Sequence, residues 1–306
     1  MEIVLTTDTK RSGFTLVELL IASTCMLLIV GAAYGIFSQQ LRQTSSEQYT
    51  VEMQMNSKVA MERLHFIFSH AGFGCRDSLH SGKTISGDDP DGNSVSITSP
   101  VWNIENNAPG VGSDSVVVVY GFRKVGEADG VHSKTDSLDV KNAQGPTIST
   151  STDLFKNYVC AFPDKDPNTF YTINSGADPY DLNREIDLIP DGASIYMVAP
   201  VRVMVSQGML LFKNFVYTSL ENWEIADAID NLQLQYTTDG SSWSDTVTNP
   251  NLITGVKIFL LARSLEPEPG FVSNATFTLA GQTVGPFTDQ YHRQVHEQIV
   301  WIRNTQ

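Results

Sequence analysis

The sequence predicts an α+β protein. A long N-terminal helix, its first half apolar enough to span a membrane, packs its second half on an antiparallel β-sheet domain with long loops. Three observations carry this. Phe14–Phe37 reads FTLVELLIASTCMLLIVGAAYGIF, in which the ionisable side chains are Glu18 and the weak acids Cys25 and Tyr34. No proline or glycine follows until Gly72. Beyond it, runs rich in Val, Ile, Leu, Phe and Tyr recur between turn residues.

The apolar run comes first in the chain. As a helix it extends roughly 36 Å, enough to cross a bilayer. It exceeds a secretory h-region, and no small-x-small cleavage pattern follows it. Ser23, Gly31, Ala32, Ala33 and Gly35 permit close helix–helix approach in lipid. Lys10 and Arg11 precede the run and favour a cytoplasmic N-terminus, with everything after Phe37 outside the cytoplasm. No later segment approaches the ~18 apolar residues of a second span.

Glu18 is the anomaly, because a carboxylate near a membrane end costs about 1–3 kcal/mol and calls for a partner. It either snorkels to the interface, is protonated, or meets a cation. Cutting between Gly13 and Phe14 would supply one, an α-amine at the helix start that a staggered neighbouring subunit can offer.

"GFTLVELLIA" resembles the signal of type IV prepilins: a short leader with basic residues ending in glycine, phenylalanine as first mature residue, and glutamate fifth. The resemblance implies that prepilin peptidase cuts after Gly13, that Phe14 is N-methylated, and that Glu18 guides docking into a filament. The expected organisation is leader 1–13, transmembrane or filament-core helix 14–37, amphipathic helix 38–74 and a β-rich globular pilin domain over 75–306.

In the second helical half Met53, Ala60, Leu64, Ile67 and Ala71 recur at helical spacing, widened by Met61 and Phe68, while Glu47, Glu52, Lys58, Glu62 and Arg63 fall mostly off the stripe. The spacing predicts one helix from about Phe14 to about Ala71, roughly 85 Å long. The methionines, Met55 included, read as packing. Gly72 and Gly74 end the helix. Strands are expected at Ser115–Tyr120, Ser194–Val205, Met209–Tyr217, Leu232–Tyr236, Val256–Ala262 and Gln294–Trp301, with a turn at Thr238–Gly240. Ser78–Gly112 and Val125–Thr152, dominated by Gly, Asp, Asn, Ser and Pro, read as exposed loops.

A second resemblance lies here. "AMERL" (Ala60–Leu64) with "AGFG" (Ala71–Gly74), "AIDNLQLQYTTDG" (Ala228–Gly240), "GVKIFLLARS" (Gly255–Ser264) and "YHRQVHEQIVWIRN" (Tyr291–Asn304, with basic Arg293 and Arg303) are similar to PilW-type minor pilins. This implies a pilin-like fold and a minor pilin taking part in type IV pilus assembly, within a tip or priming complex. Its implied partners are other minor pilins, the major pilin, prepilin peptidase, the inner-membrane assembly platform, and the membrane through residues 14–37. The implied location is a single-pass inner-membrane protein with a periplasm-facing domain, later on the pilus at the cell surface. A J-type pseudopilin of a type II secretion system shares these features. A filament-displayed adhesin or ligand-binding module is the third reading, with Trp102, Tyr158, Phe170, Tyr171 and Tyr180 as candidate lining.

The remaining chemistry is sparse. With 34 acidic against 20 basic side chains and a net charge of -14, the chain is not expected to bind nucleic acid, whose phosphates need a basic surface. An exported domain would have Cys75–Cys160 as its available disulfide, two buried thiols being the alternative. Asp89, Asp91 and Asn93 place oxygen ligands at alternating spacing, as calcium loops do, and Asp164, Asp166 and Asn168 form a second such set. Neither has the bidentate glutamate of an EF-hand: the twelfth positions are Pro100 and Ser175. Solvated acidic turns are the plainer reading, so no metal is assigned. His292 and His296 are expected on one face of a strand without a third ligand, and His65 and His70 on the helix facing solvent or a neighbour. No nucleophile elbow, P-loop or dinucleotide fingerprint occurs, so neither catalysis nor a cofactor is expected.

Overall fold

The computed structural model describes residues 15–107, 112–144, 155, 157–162, 169–175, 179–216 and 222–303. The chain forms two compact units, Met1–Tyr49 and Thr50–Gln306. Helix α1, Leu16–Ser69, contributes to both.

In the first unit every described residue from Leu16 to Phe37 is exposed. Short hydroxyls here bond back to the helix: Ser23 and Thr24 donate to the Leu20 carbonyl, and just beyond the stretch Ser38 donates to that of Gly35.

The second unit opens with the amphipathic end of α1. Met53, Ala60, Met61, Leu64, Ile67, Phe68 and Ala71 are all buried in one cluster, so the sequence stripe is the packing face. Met55 departs from that reading, being 64% exposed. After the helix, Gly72 donates to the Val119 carbonyl and Gly121 to that of Phe73. Gly74 has φ +74, and a Cβ there would stand 2.2 Å from the Cys160 sulfur, so only glycine fits this turn.

Then follow α2 (Arg76–His80) and the strands β1 (Ile85–Asp88), β2 (Ser94–Ile97), β3 (Val101–Glu105), β4 (Ser115–Ala128), β5 (Thr135–Leu138), β6 (Val140–Lys141), β7 (Tyr158–Phe162), β8 (Tyr171–Ser175) and β9 (Tyr180–Ile186). The chain continues through β10 (Ser194–Ser206), β11 (Met209–Asn214), β12 (Asn222–Asp227), β13 (Ile229–Thr237), β14 (Gly255–Arg263), β15 (Phe277–Leu279), β16 (Gln282–Val284) and β17 (Arg293–Trp301). All pairings among them are antiparallel.

Two sheets matter most. In the large one β10 is the spine, flanked along one edge by β4 and along the other by β7 and then β11. The other is β13-β14-β17. The run SVVVVY is buried on both faces: Val116, Val118 and Tyr120 join the cluster around α1, while Val117 and Val119 join Leu79, Ile85 and Ile97 on the other side. In the three-stranded sheet Leu232, Leu234, Tyr236, Val256, Ile258, Leu260 and Val300 complete the helix-facing core.

The expected strands are present, β4 running eight residues further than expected and β11 stopping at Asn214, with Tyr217 outside the described residues. The two expected loops need correction. Ser78–Gly112 holds β1, β2 and β3, and Val125–Thr152 holds the end of β4 with β5 and β6. These are short strands such as Ser94–Ile97 and Thr135–Leu138, each with one buried residue at its end, which a composition dominated by turn formers conceals.

Candidate functional site

Glu18 sits in the first turn of α1. Its Oε2 accepts from the Thr15 backbone N–H (2.9 Å) and the Thr15 hydroxyl (3.0 Å), while Thr15 Oγ1 accepts from the Glu18 N–H at 3.3 Å. This is a reciprocal capping box, in which threonine and glutamate satisfy each other's orphan backbone donors. The carboxylate therefore has a local partner that the membrane argument overlooked. The signal was legible as Thr-x-x-Glu opening an apolar helix, T-L-V-E at residues 15–18. The cap fixes the Glu18 side chain toward the N-terminal end of the helix, where the macrodipole favours negative charge. Gly13 and Phe14 lie outside the described residues.

From Leu19 to Phe37 the helix offers only apolar and small side chains and Tyr34. Its best 18-residue window has mean hydropathy 2.3, and none of that window is buried. A Cβ added at Gly31 or Gly35 would meet nothing within 4 Å, so two notches stand open on this surface.

The other candidate residues have structural employment. Asp89 Oδ1 accepts from the N–H groups of Asp91 and Asn93, closing a turn. Arg202 lies 3.6 Å from Asp89 and 3.2 Å from Asp91, and Lys213 lies 3.3 Å from Asp91. Burial pushes the Asp89 carboxyl upward, yet its bonds from Asn93 and Asp91 and the charge of Arg202 together hold it below the usual range. The calcium candidates Asp89, Asp91 and Asn93 thus form a cation-paired turn that pins the β1–β2 hairpin to β10 and β11. Asp164, Asp166 and Asn168 lie outside the described residues. Among the described residues no three His, Cys, Asp or Glu converge as metal ligands do.

Cys75 and Cys160 share one buried cluster, where the Cys75 thiol donates to the Val119 carbonyl at 3.7 Å; a disulfide between the two is not shown. Burial, with Cys160 nearby, pushes the Cys75 thiol well up. Tyr158, Phe170 and Tyr171 are buried in the core, while Trp102 and Tyr180 are half-buried against it; these aromatics pack the domain. His292 and His296 do not act together. His292 Nε2 lies 2.5 Å from Glu268 Oε2 with its ring stacked on Phe271, and the Nε2 of His296 is buried without a hydrogen-bond partner. Ser264 is near His292, but its hydroxyl donates to the Glu266 carbonyl and accepts from the His292 backbone, so no nucleophile faces the imidazole. His65 meets Gln298 from β17, and His70 turns back on the Phe66 carbonyl.

The comparisons bear on both ends of the chain. Residues 8–34 match the prokaryotic N-terminal methylation motif, and residues 212–304 match the family described as type IV pilus-assembly protein W. No curated protein matches the chain. A chain of the GspK–GspI–GspJ complex of the enterotoxigenic Escherichia coli type 2 secretion system aligns at 12% identity over 82% of this chain and 99% of that one. The TM-score of that alignment is 0.33. The methylation motif spans the head of the apolar helix, and the second match runs from β11 through all of β13, β14 and β17, so the chain is similar to prepilins at its head and to type IV pilus-assembly protein W over its last third.

Proposed function

We infer that this chain is a minor pilin that enters a type IV pilus through residues 14–37, after prepilin peptidase removes residues 1–13 and Phe14 is N-methylated, and that it acts in a tip or priming complex with other minor pilins beside the major pilin. The role is structural and not catalytic. Before assembly the helix anchors the chain in the inner membrane, with residues 75–306 on the periplasmic side; the assembly platform then moves it into the filament.

The observation that supports this reading most is the pairing of a fully exposed apolar helix with an acidic cap at its head. A surface of mean hydropathy 2.3 must be covered by lipid or by like helices, and exchanging one for the other retains apolar contact. Transfer from membrane to filament is therefore cheap, and a polar group at the helix head sets the stagger. Glu18 bonds to Thr15 through Oε2, which leaves Oε1 to receive a neighbour's methylated amino terminus.

Mass spectrometry of the native chain tests the processing: a mature N-terminus at methylated Phe14 is expected, and an unprocessed Met1 would end this reading. Immunolabelling of sheared filaments tests the location. Two variants separate cap from docking. Glu18→Ala should retain membrane insertion and cleavage but lose incorporation, whereas Thr15→Ala, which keeps the carboxylate, should incorporate. Equal loss in both would make Glu18 only a helix cap.

A further inference from the structure

Two sulfurs meet under the turn that ends α1. Cys75 and Cys160 are both buried and belong to one cluster with Val117, Val119 and Phe215. A buried cysteine often does no more than fill space. Here the backbone makes room for one of the two sulfurs. A Cβ at Gly74, the residue before Cys75, would stand 2.2 Å from the Cys160 sulfur and 2.9 Å from the Cys160 Cβ. A Cβ at Gly121 of β4 would stand 3.3 Å from the same sulfur. The Cys75 sulfur reaches the same stretch of β4, 3.7 Å from the Val119 carbonyl oxygen. Strand alternation puts residues 119 and 121 on one face, so the two thiols converge on adjacent positions of it.

The backbone around both cysteines is held in place. Gly72 donates to the Val119 carbonyl at 2.8 Å and Gly121 to that of Phe73 at 2.7 Å, which binds the turn to β4. The Phe73 ring packs against Phe162 of β7 and Tyr196 of β10. Cys160 itself is the cross-strand partner of Tyr196. Among the described residues no third His, Cys, Asp or Glu joins the two sulfurs as a thiolate metal site requires.

We propose that Cys75 and Cys160 are joined by a disulfide in the mature protein, formed in the oxidising compartment to which residues 75–306 are exported. This rests on the periplasmic placement inferred above. The S–H bonds of both cysteines break and one S–S bond forms. The two electrons and two protons released reduce the disulfide of an exported thiol–disulfide oxidoreductase to its dithiol, by way of a mixed disulfide. Once the cluster is closed, burial keeps the Cys75 thiol protonated and out of reach of such a partner. The exchange therefore belongs to folding, and the closed cluster then shields its product from reduction. The bond turns the segment that carries α2 and β1–β6 into a covalent loop, anchored at the end of α1 and beside the spine strand β10.

The test is peptide mapping of the full chain purified from membranes and alkylated in denaturant without reductant. A peptide pair joining Cys75 to Cys160, lighter by two hydrogen atoms than the reduced pair, is expected, with Cys25 alkylated as an internal control. The full chain refolded in detergent from reduced, unfolded material in a glutathione redox buffer should form the same bond. Wild type refolded without oxidant should melt about 5–10 °C below the oxidised form, and reductant should leave the Cys75→Ala/Cys160→Ala variant unchanged. Alkylation of both Cys75 and Cys160 on a native chain that begins at Phe14 overturns the proposal and leaves the pilin reading standing. If that chain begins at Met1, the placement has failed and the refolding decides: a Cys75–Cys160 link upholds the pairing, and its absence overturns it. Linkage of either cysteine to a second chain, without the internal pair, also overturns it.

Discussion

The C-terminal sheet and the strands inserted between residues 75 and 193 are held by different forces. β13, β14 and β17 are nine residues each, and their helix-facing side chains merge with α1 in one apolar cluster. In the insert β1, β2 and β5 are four residues each, and side-chain ties do much of the fastening. Tyr158 accepts from the Ser86 N–H at 2.8 Å, Arg202 spans Asp89 and Asp91, and Lys141 pairs with Asp129 and Asp191. The first kind of hold scales with apolar area and is nearly indifferent to pH and salt; the second is electrostatic, local and weak per contact.

The sharpest way to break this contrast is a core deletion. Phe68 is fully buried on α1 beneath both sheets, so Phe68→Ala should cost about 3–5 kcal/mol, read as a lower urea midpoint for the whole β domain. If a variant that cuts only an insert tie costs as much, the distinction fails.

Next comes the junction. Residues 112–114 run along the edge of β13 that β14 leaves free. Asp114 donates its N–H to the Leu232 carbonyl, and its two carboxylate oxygens accept from Asn107 and Leu234 at 2.8 and 2.7 Å. Burial, partly offset by these bonds, raises the Asp114 carboxyl to about 6. A folded pKa above the unfolded one means that the stabilisation is complete below the unfolded value near ~4 and is lost as pH rises through 6. Urea unfolding should therefore show a fall in stability on the order of 2–3 kcal/mol between pH 4 and 7 from this group, absent in Asp114→Asn. The same fall in the variant would remove Asp114 as its source.

How much could be read beforehand follows the same division. The apolar stripe of α1 and the strands at Ser115, Ser194, Leu232, Val256 and Gln294 stood out because each carries an unbroken run or a long period of apolar residues that the core needs. Ser94–Ile97, SVSI, offers a single buried side chain, Ile97, and no pattern of four residues separates that from a turn. Pairing partners decide such segments, and these lie far along the chain: Tyr158 for Ser86, Arg202 for Asp91. At the helix head the opposite happened. The local signal, Thr15 with Glu18, was fully present but was eclipsed by the membrane question that the same glutamate raises. The packing of Trp301 over Gly255 was not legible at all, since it rests on a cross-strand register between residues 46 apart.

The smallest expected effect tests the insert's ties directly. Arg202→Met keeps most of the side chain's packing but removes the charge facing Asp89 and Asp91, with Lys213 remaining on Asp91. The loss should be about 1 kcal/mol and should shrink in high salt. Because the folded Asp89 carboxyl sits below its usual range, its contribution is present above the unfolded pKa and disappears as pH falls through the folded one, opposite in sign to Asp114. Acid should therefore narrow the gap between Arg202→Met and wild type, whereas a metal site would behave otherwise. Millimolar calcium should leave the wild-type melting temperature unchanged, since the carboxylates that would hold the ion already face Arg202 and Lys213. A calcium-dependent rise in wild type that grows in Arg202→Met would show that the cation pairs merely occupy an ion's place. The insert would then be fastened by a metal, and not by its own side chains.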